Sequence, residues 1–176
     1  NFIIYLIKTI IEGTTTINVS ATQDSVNVSN SLTVTVTPKP NNVTVTKTTF
    51  ESTSDSLDEY ISYSCDKGGG TSNPAINGEE IRIYQMDTNQ GKTEGGSITI
   101  SAKNAKISSI TIGSSMATKV TYSLDGGTKS SNNNISAGGK FTLDSLNNGS
   151  IKFTCMGSSK TERLYLNYLS VTYVLD

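Results

Sequence analysis

From Val43 to Val174 the chain repeats one pattern: short runs in which apolar and polar residues alternate, separated by clusters of Gly, Asn, Asp and Ser. A period of two puts alternate side chains on opposite faces of an extended chain, so each run reads as a strand with one buried and one wet face. The runs predict strands at Val43–Phe50, Tyr60–Cys65, Glu80–Gln85, Ser97–Ala102, Ile107–Ile112, Lys119–Leu124, Gly139–Leu143, Ser150–Cys155 and Arg163–Val174. Turn residues fall between them, at Asp66-Lys-Gly-Gly-Gly70, 87–96, Asp125-Gly-Gly127, 130–137 and Asn147-Asn-Gly149. Only Ser54–Glu59 reads as helical or irregular. Many short, half-buried strands at this spacing predict an all-β, antiparallel sandwich of jelly-roll type.

Alternation also nominates the core: Ile61, Tyr63, Cys65, Ile81, Ile83, Ile98, Ile100, Ile110, Ile112, Val120, Tyr122, Leu124, Phe141, Leu143, Ile151, Phe153 and Cys155. In the last run the parity breaks, because Leu164 and Leu166 share one face while Leu169, Val171 and Tyr173 share the other. One extra residue near Asn167-Tyr168 would turn all five inward, which predicts a β-bulge there. A long strand that switches between sheets is the alternative.

The first 38 residues form a separate region. The apolar run Asn1–Ile11 contains Lys8 and is far shorter than the roughly 20 residues a spanning helix needs. It also lacks an initiator Met, a basic leader and a small-residue cleavage site, so it reads as strand-forming sequence from the middle of a longer protein. Beyond it, Ile17 and Val19 alternate with polar residues, as do Leu32, Val34 and Val36, on either side of a turn at Gln23-Asp24-Ser25. The segments Glu12-Gly-Thr-Thr-Thr-Ile-Asn-Val and Leu32-Thr-Val-Thr-Val-Thr-Pro resemble the closing strands of a bacterial immunoglobulin-like domain of group 2. The likeness covers about residues 12–38, the last part of a domain that normally has about 100 residues. Domain boundaries follow: a partial immunoglobulin-like domain at 1–38, a linker at 39–42 within the stiff, polar boundary Pro38-Lys39-Pro40-Asn41-Asn42, and a β-sandwich at 43–176. Half a sandwich leaves its apolar face to be covered by residues 1–11, by the next domain or by a neighbouring chain.

The second region resembles the β-sandwich modules that follow such domains in surface and secreted proteins of gut bacteria. The resemblance rests on Cys65-Asp-Lys-Gly-Gly-Gly-Thr-Ser-Asn-Pro-Ala-Ile76, Ile81-Arg-Ile-Tyr84, Gly96-Ser-Ile-Thr-Ile100, Ile110-Thr-Ile112 and Leu169-Ser-Val-Thr-Tyr173. It implies an extracellular or cell-surface bacterial location and carries no catalytic residue across.

Composition narrows the function. The 14 basic residues are balanced by 15 acidic ones, so no basic face is expected and nucleic acid is an unlikely partner. There is no histidine, which removes the familiar zinc sets, Ser-His-Asp and Cys-His arrangements, and any His base. Gly68-Gly-Gly70 lacks the Lys of a phosphate loop and reads as a mobile turn. Scattered loop acids do not make the paired carboxylates of a glycosidase. The chain reads as non-enzymatic.

Three constellations remain. Arg82 with Tyr84, and Arg163 with Tyr165, project opposite to inward aliphatic residues. Together they could form an aromatic and guanidinium surface for stacking on a sugar ring, or simply pack Arg over Tyr across strands. Cys65 and Cys155 lie at inward positions. Joined, they would close a loop of about 90 residues worth about 4–5 kcal/mol; apart, they would pack as small hydrophobes. Export favours the bond, and an anaerobic source favours thiols. Asp55, Asp58 and Glu59 are the acids that would suit calcium, the one cofactor considered, against a solvated loop; Glu79 and Glu80 form a second acidic cluster. The functional expectation is a binding or adhesion module for a glycan or a host surface component. The rival expectations are a spacer or fibre subunit completed by strand pairing with a neighbouring chain, and an accessory domain of a larger secreted enzyme.

Overall fold

The structure, a computed structural model, describes residues 13–23, 26–36 and 42–176. The run 1–11, the turn residues Asp24 and Ser25, and the boundary residues from Pro38 to Asn41 lie outside the described residues. The chain divides into two units, Asn1–Pro40 and Asn41–Asp176.

In the first unit, β1 (Gly13–Gln23) and β2 (Val26–Val36) form an antiparallel hairpin. Its register sets Ile17 against Leu32, Thr15 against Val34 and Gly13 against Val36. The alternating positions noted in the sequence therefore fall on one side of the ladder.

The second unit contains β3 (Val43–Lys47), β4 (Ser54–Ser56), β5 (Ile61–Asp66), β6 (Ala75–Asn77), β7 (Glu80–Ile83), β8 (Ser97–Ala102) and β9 (Ala105–Ser114). It continues with β10 (Thr118–Leu124), β11 (Asn133–Ile135), β12 (Gly139–Leu143), β13 (Ser150–Cys155) and β14 (Leu164–Leu175). They build two six-stranded sheets. One runs β11-β10-β13-β8-β5-β4; the other runs β12-β9-β14-β7-β6, with β3 also paired to β14. Within this order β7 pairs with β14, β8 with β13, β9 with β12 and β10 with β11, all antiparallel. That nested pairing, split between two sheets, is the jelly roll.

The core lies between the sheets. Ile81, Ile83, Ile98, Ile100, Ile110, Ile112, Val120, Ile151, Phe153 and Cys155 are fully buried, as the alternation predicts. Cys65, Tyr122, Leu124, Phe141 and Leu143 are half-buried at its margin. Phe50, Ala105, Ile107 and Ile135 join the core in addition. Phe50 meets Tyr63 edge to face, with ring centres 5.8 Å apart.

The predicted bulge is present. Against β9, Leu166 pairs with Ser114 but Tyr168 already pairs with Gly113, so Asn167 is the extra residue. Leu164, Leu166, Leu169, Val171 and Tyr173 all turn inward as a result. A second shift runs the other way, since Thr172 pairs with Ser109 and Tyr173 with Ile107. Ser108 is then the extra residue in β9, which keeps Ile107 and Ile110 on the same face despite their odd spacing.

Four expectations are corrected. Ser54–Ser56 is an edge strand paired to β5, not helix. Strand β11 falls inside the stretch 130–137 read as turn, and β6 falls where no strand is assigned from the sequence; both are too short to show a period. Gly68-Gly-Gly70 is tied into the fold rather than mobile: Gly70 N–H donates to the Lys67 carbonyl, and Gly69 accepts from Asp87 N–H. Finally, Cys65 and Cys155 are free thiols. Strand β8 lies between their strands, a separation of roughly 9–10 Å against a disulfide reach of about 7 Å between Cα atoms.

Candidate functional site

β7 and β14 bring the two Arg-x-Tyr pairs together. Ile81 and Ile83 point inward from β7, which leaves Arg82 on the outer face. The register sets Tyr165 directly opposite Arg82 and Leu164 opposite Ile83. The Arg82 guanidinium carbon lies 5.3 Å from the Tyr84 ring centre and 6.0 Å from that of Tyr165. The Arg163 guanidinium lies 4.6 Å from Tyr84. Arg163, Tyr84, Arg82 and Tyr165 thus form a stack in which cation and ring alternate, each contact worth about 0.5–1 kcal/mol at a half-exposed site. All four side chains are half-buried.

The surrounding backbone fixes this stack. Gly96 N–H donates to the Tyr84 carbonyl at 2.9 Å, and Gly95 N–H to the Cys155 carbonyl at 2.8 Å. Gly95 must be glycine, because a Cβ there would strike the carbonyls of Tyr84 and Cys155. On the other edge of β7 the neighbour of Arg82 is Ala75, whose small side chain leaves the guanidinium room. Gln85, 6% exposed, accepts a hydrogen bond from Arg163 Nε at 2.6 Å.

The charges of the stack are unbalanced. Among the described residues neither Arg82 nor Arg163 forms an ion pair; the pairs are Lys47–Asp55, Lys119–Glu162 and Lys129–Glu94. Arg82 Nε is buried and has no hydrogen-bond partner among the described residues. Glu80, two residues before Arg82 on the same side of β7, accepts from Ser115 Oγ at 2.9 Å instead.

Further along the outer face, Lys140 Nζ lies 3.3 Å from the centre of the Tyr168 ring. Gly113 pairs with both residues and offers no side chain to separate them. Hydroxyl pairs line the same face, Thr44 with Thr172, Thr46 with Ser170 and Thr111 with Thr142. Gln85, Lys140 and Tyr168 were not singled out from the sequence. Lys140 stands outward beside Phe141, but only the pairing of β12, β9 and β14 shows which ring it meets. Gln85 continues the inward parity of Ile81 and Ile83, and a buried amide needs a partner. The chemistry available on this face is adsorptive: ring surfaces, hydroxyls and free guanidinium donors.

The acids considered for calcium do not converge. Asp55 pairs with Lys47 at 2.8 Å, and Asp58 gives its oxygens to the Tyr60 and Ile61 N–H groups and to the Tyr173 hydroxyl. Among the described residues no three His, Cys, Asp or Glu side chains are grouped as a metal site needs.

No family model and no curated protein matches the chain. Two solved structures are similar to it in part. One is a family 32 carbohydrate-binding module from C. perfringens in complex with galactose, 16% identical over 64% of this chain and 93% of that chain, with a TM-score of 0.40. The other is an exo-β-1,3-galactanase from Phanerochaete chrysosporium with galactose, 19% identical over 62% of this chain and 29% of that chain, with a TM-score of 0.35. The jelly-roll assignment rests on the strand order itself. Among the described residues no helix is long and apolar enough to cross a membrane.

Proposed function

We propose that the second unit is a non-catalytic carbohydrate-binding module of an extracellular or surface-displayed bacterial protein, holding its ligand on the outer face at β7 and β14. The observation that carries this reading is the stack of Arg163, Tyr84, Arg82 and Tyr165, whose terminal guanidinium nitrogens are unspent among the described residues. Sugar rings present C–H faces that pack on aromatic rings and hydroxyls that accept from N–H donors. Strand-borne residues held by close backbone packing keep such a surface preorganised.

The test is the double substitution Tyr84→Ala with Tyr165→Ala, compared with the parent on a glycan array. Retention should fall by at least about tenfold, equivalent to about 1.4 kcal/mol, while the melting temperature stays within a few degrees. Unchanged retention would remove these residues from the site.

A separate observation favours a structural role for the first unit. Among the described residues β1 and β2 pair only with each other, and a lone two-stranded hairpin is marginally stable in water. We read them as the closing strands of a group 2 immunoglobulin-like domain, completed by strands from elsewhere. Light scattering across a concentration series tests completion by a neighbouring chain; a monomer throughout rules it out.

A further inference from the structure

Arg82 and Arg163 both lie against the Tyr84 ring, yet among the described residues no carboxylate pairs with either. An Arg and Tyr ladder that served packing alone would spend its N–H groups on carbonyls or carboxylates. Arg163 does so once, through Nε to Gln85, and its terminal nitrogens are uncommitted among the described residues. Among the described residues Arg82 spends none; its Nε–H is closed off from solvent, which leaves its terminal nitrogens as the donors a ligand can meet. The nearest acid on this side of the strand, Glu80, is held by Ser115 Oγ and pairs with neither arginine. Farther across the face Lys140 sits over Tyr168, and the Asp144 carboxylate accepts from Ser109 Oγ, so that acid is engaged away from both arginines.

A neutral sugar would satisfy the spare donors but leave two positive charges uncompensated. An oxyanion satisfies both, through charge-assisted hydrogen bonds roughly twice as strong as neutral ones. The guanidinium fork matches the geometry of a carboxylate or a sulfate. From these observations we infer that the ligand is an anionic glycan whose carboxylate or sulfate groups are held by the guanidinium groups of Arg82 and Arg163, which both flank the Tyr84 ring. The inference rests on the binding reading above and specifies its ligand class.

The experiment is affinity gel electrophoresis of the full chain in polygalacturonate, in a sulfated galactan and in neutral galactan. At least one acidic polymer should retard the protein while the neutral one does not, and the polymer that does so identifies the group as carboxylate or sulfate. Arg82→Gln and Arg163→Gln should each weaken that retention by about tenfold or more. Arg163→Lys should weaken it as well, because an ammonium cannot fork. Parent retention should also fall as salt is raised from about 50 mM to about 500 mM, a measurement that needs no variant to fold. Equal retention by neutral and acidic polymers, insensitive to salt and to Arg82→Gln, would overturn the charge assignment while leaving the Tyr84 and Tyr165 surface intact. Acidic retention unaffected by either arginine variant would also overturn it. If no polymer is retained, the binding reading falls and the inference with it.

Discussion

Asp58 accepts three hydrogen bonds, two at Oδ1 from the Tyr60 and Ile61 N–H groups and one at Oδ2 from the Tyr173 hydroxyl at 2.6 Å. Burial pulls its carboxyl upward, but the bonds from Tyr173, Ile61 and Tyr60 outweigh that and hold it below the ordinary value of 3.8. A carboxyl whose folded pKa is depressed contributes stability above its unfolded pKa and loses it as pH falls through the folded one. Asp58→Ala should therefore cost about 1–3 kcal/mol at neutral pH, since it orphans the largely buried Tyr173 hydroxyl. The gap to the parent should narrow below pH 3.8, where the protonating carboxyl loses its advantage. Urea midpoints at a series of pH values check this, and a gap independent of pH would refute it. At the same scale, burial pushes the Cys65 thiol up to about 12 and the Cys155 thiol upward as well. Thiolate is the reactive form, so iodoacetamide at pH 8 should label the native protein slowly. Mass measurement in urea without reductant should then show two labels, whereas none would demonstrate a bond.

At the scale of the element, β14 shows how a sequence signal and a tertiary one divide. The inward set Leu164, Leu166, Leu169, Val171 and Tyr173 has only one consistent reading for a strand within one sheet, an extra residue between Leu166 and Leu169. That was legible, because a one-residue slip exchanges every side chain between faces. The neighbouring consequence was not. Gly113 stands opposite the bulge, and a Cβ there would lie 2.8 Å from the Tyr168 Cβ and 3.0 Å from Asn167 Oδ1. Gly113→Ala should cost about 1–3 kcal/mol, through strain rather than lost contacts, and should weaken the placement of Lys140 over Tyr168. Denaturant unfolding measures the first effect; a cost under about 0.5 kcal/mol would show that β14 yields freely. The edge strands β4, β6 and β11, each of three residues, escaped prediction for a related reason. Strands of that length carry no period and exist because a longer neighbour offers them an edge.

For the molecule as a whole, the two units are separate packing problems, with the main core contained in Asn41–Asp176. A chain begun at Asn41 should keep the cooperative melting transition of the second unit within a few degrees. Loss of that transition would mean the first unit is needed for folding. The alternation, with its turn-forming interruptions, determined by itself that this chain is all-β, most of the residues that enter the core, and where β14 must bulge, because side-chain direction in a strand is a local property of the backbone. It also named Arg82, Tyr84, Arg163 and Tyr165 as outward-facing. Only the tertiary structure decided that β7 and β14 are neighbours and set Tyr165 against Arg82. The same strand order put β8 between the cysteines and, among the described residues, left the two guanidinium groups without a carboxylate. Which strands lie side by side depends on the order in which the jelly roll nests its pairs, and that order is a property of the whole chain.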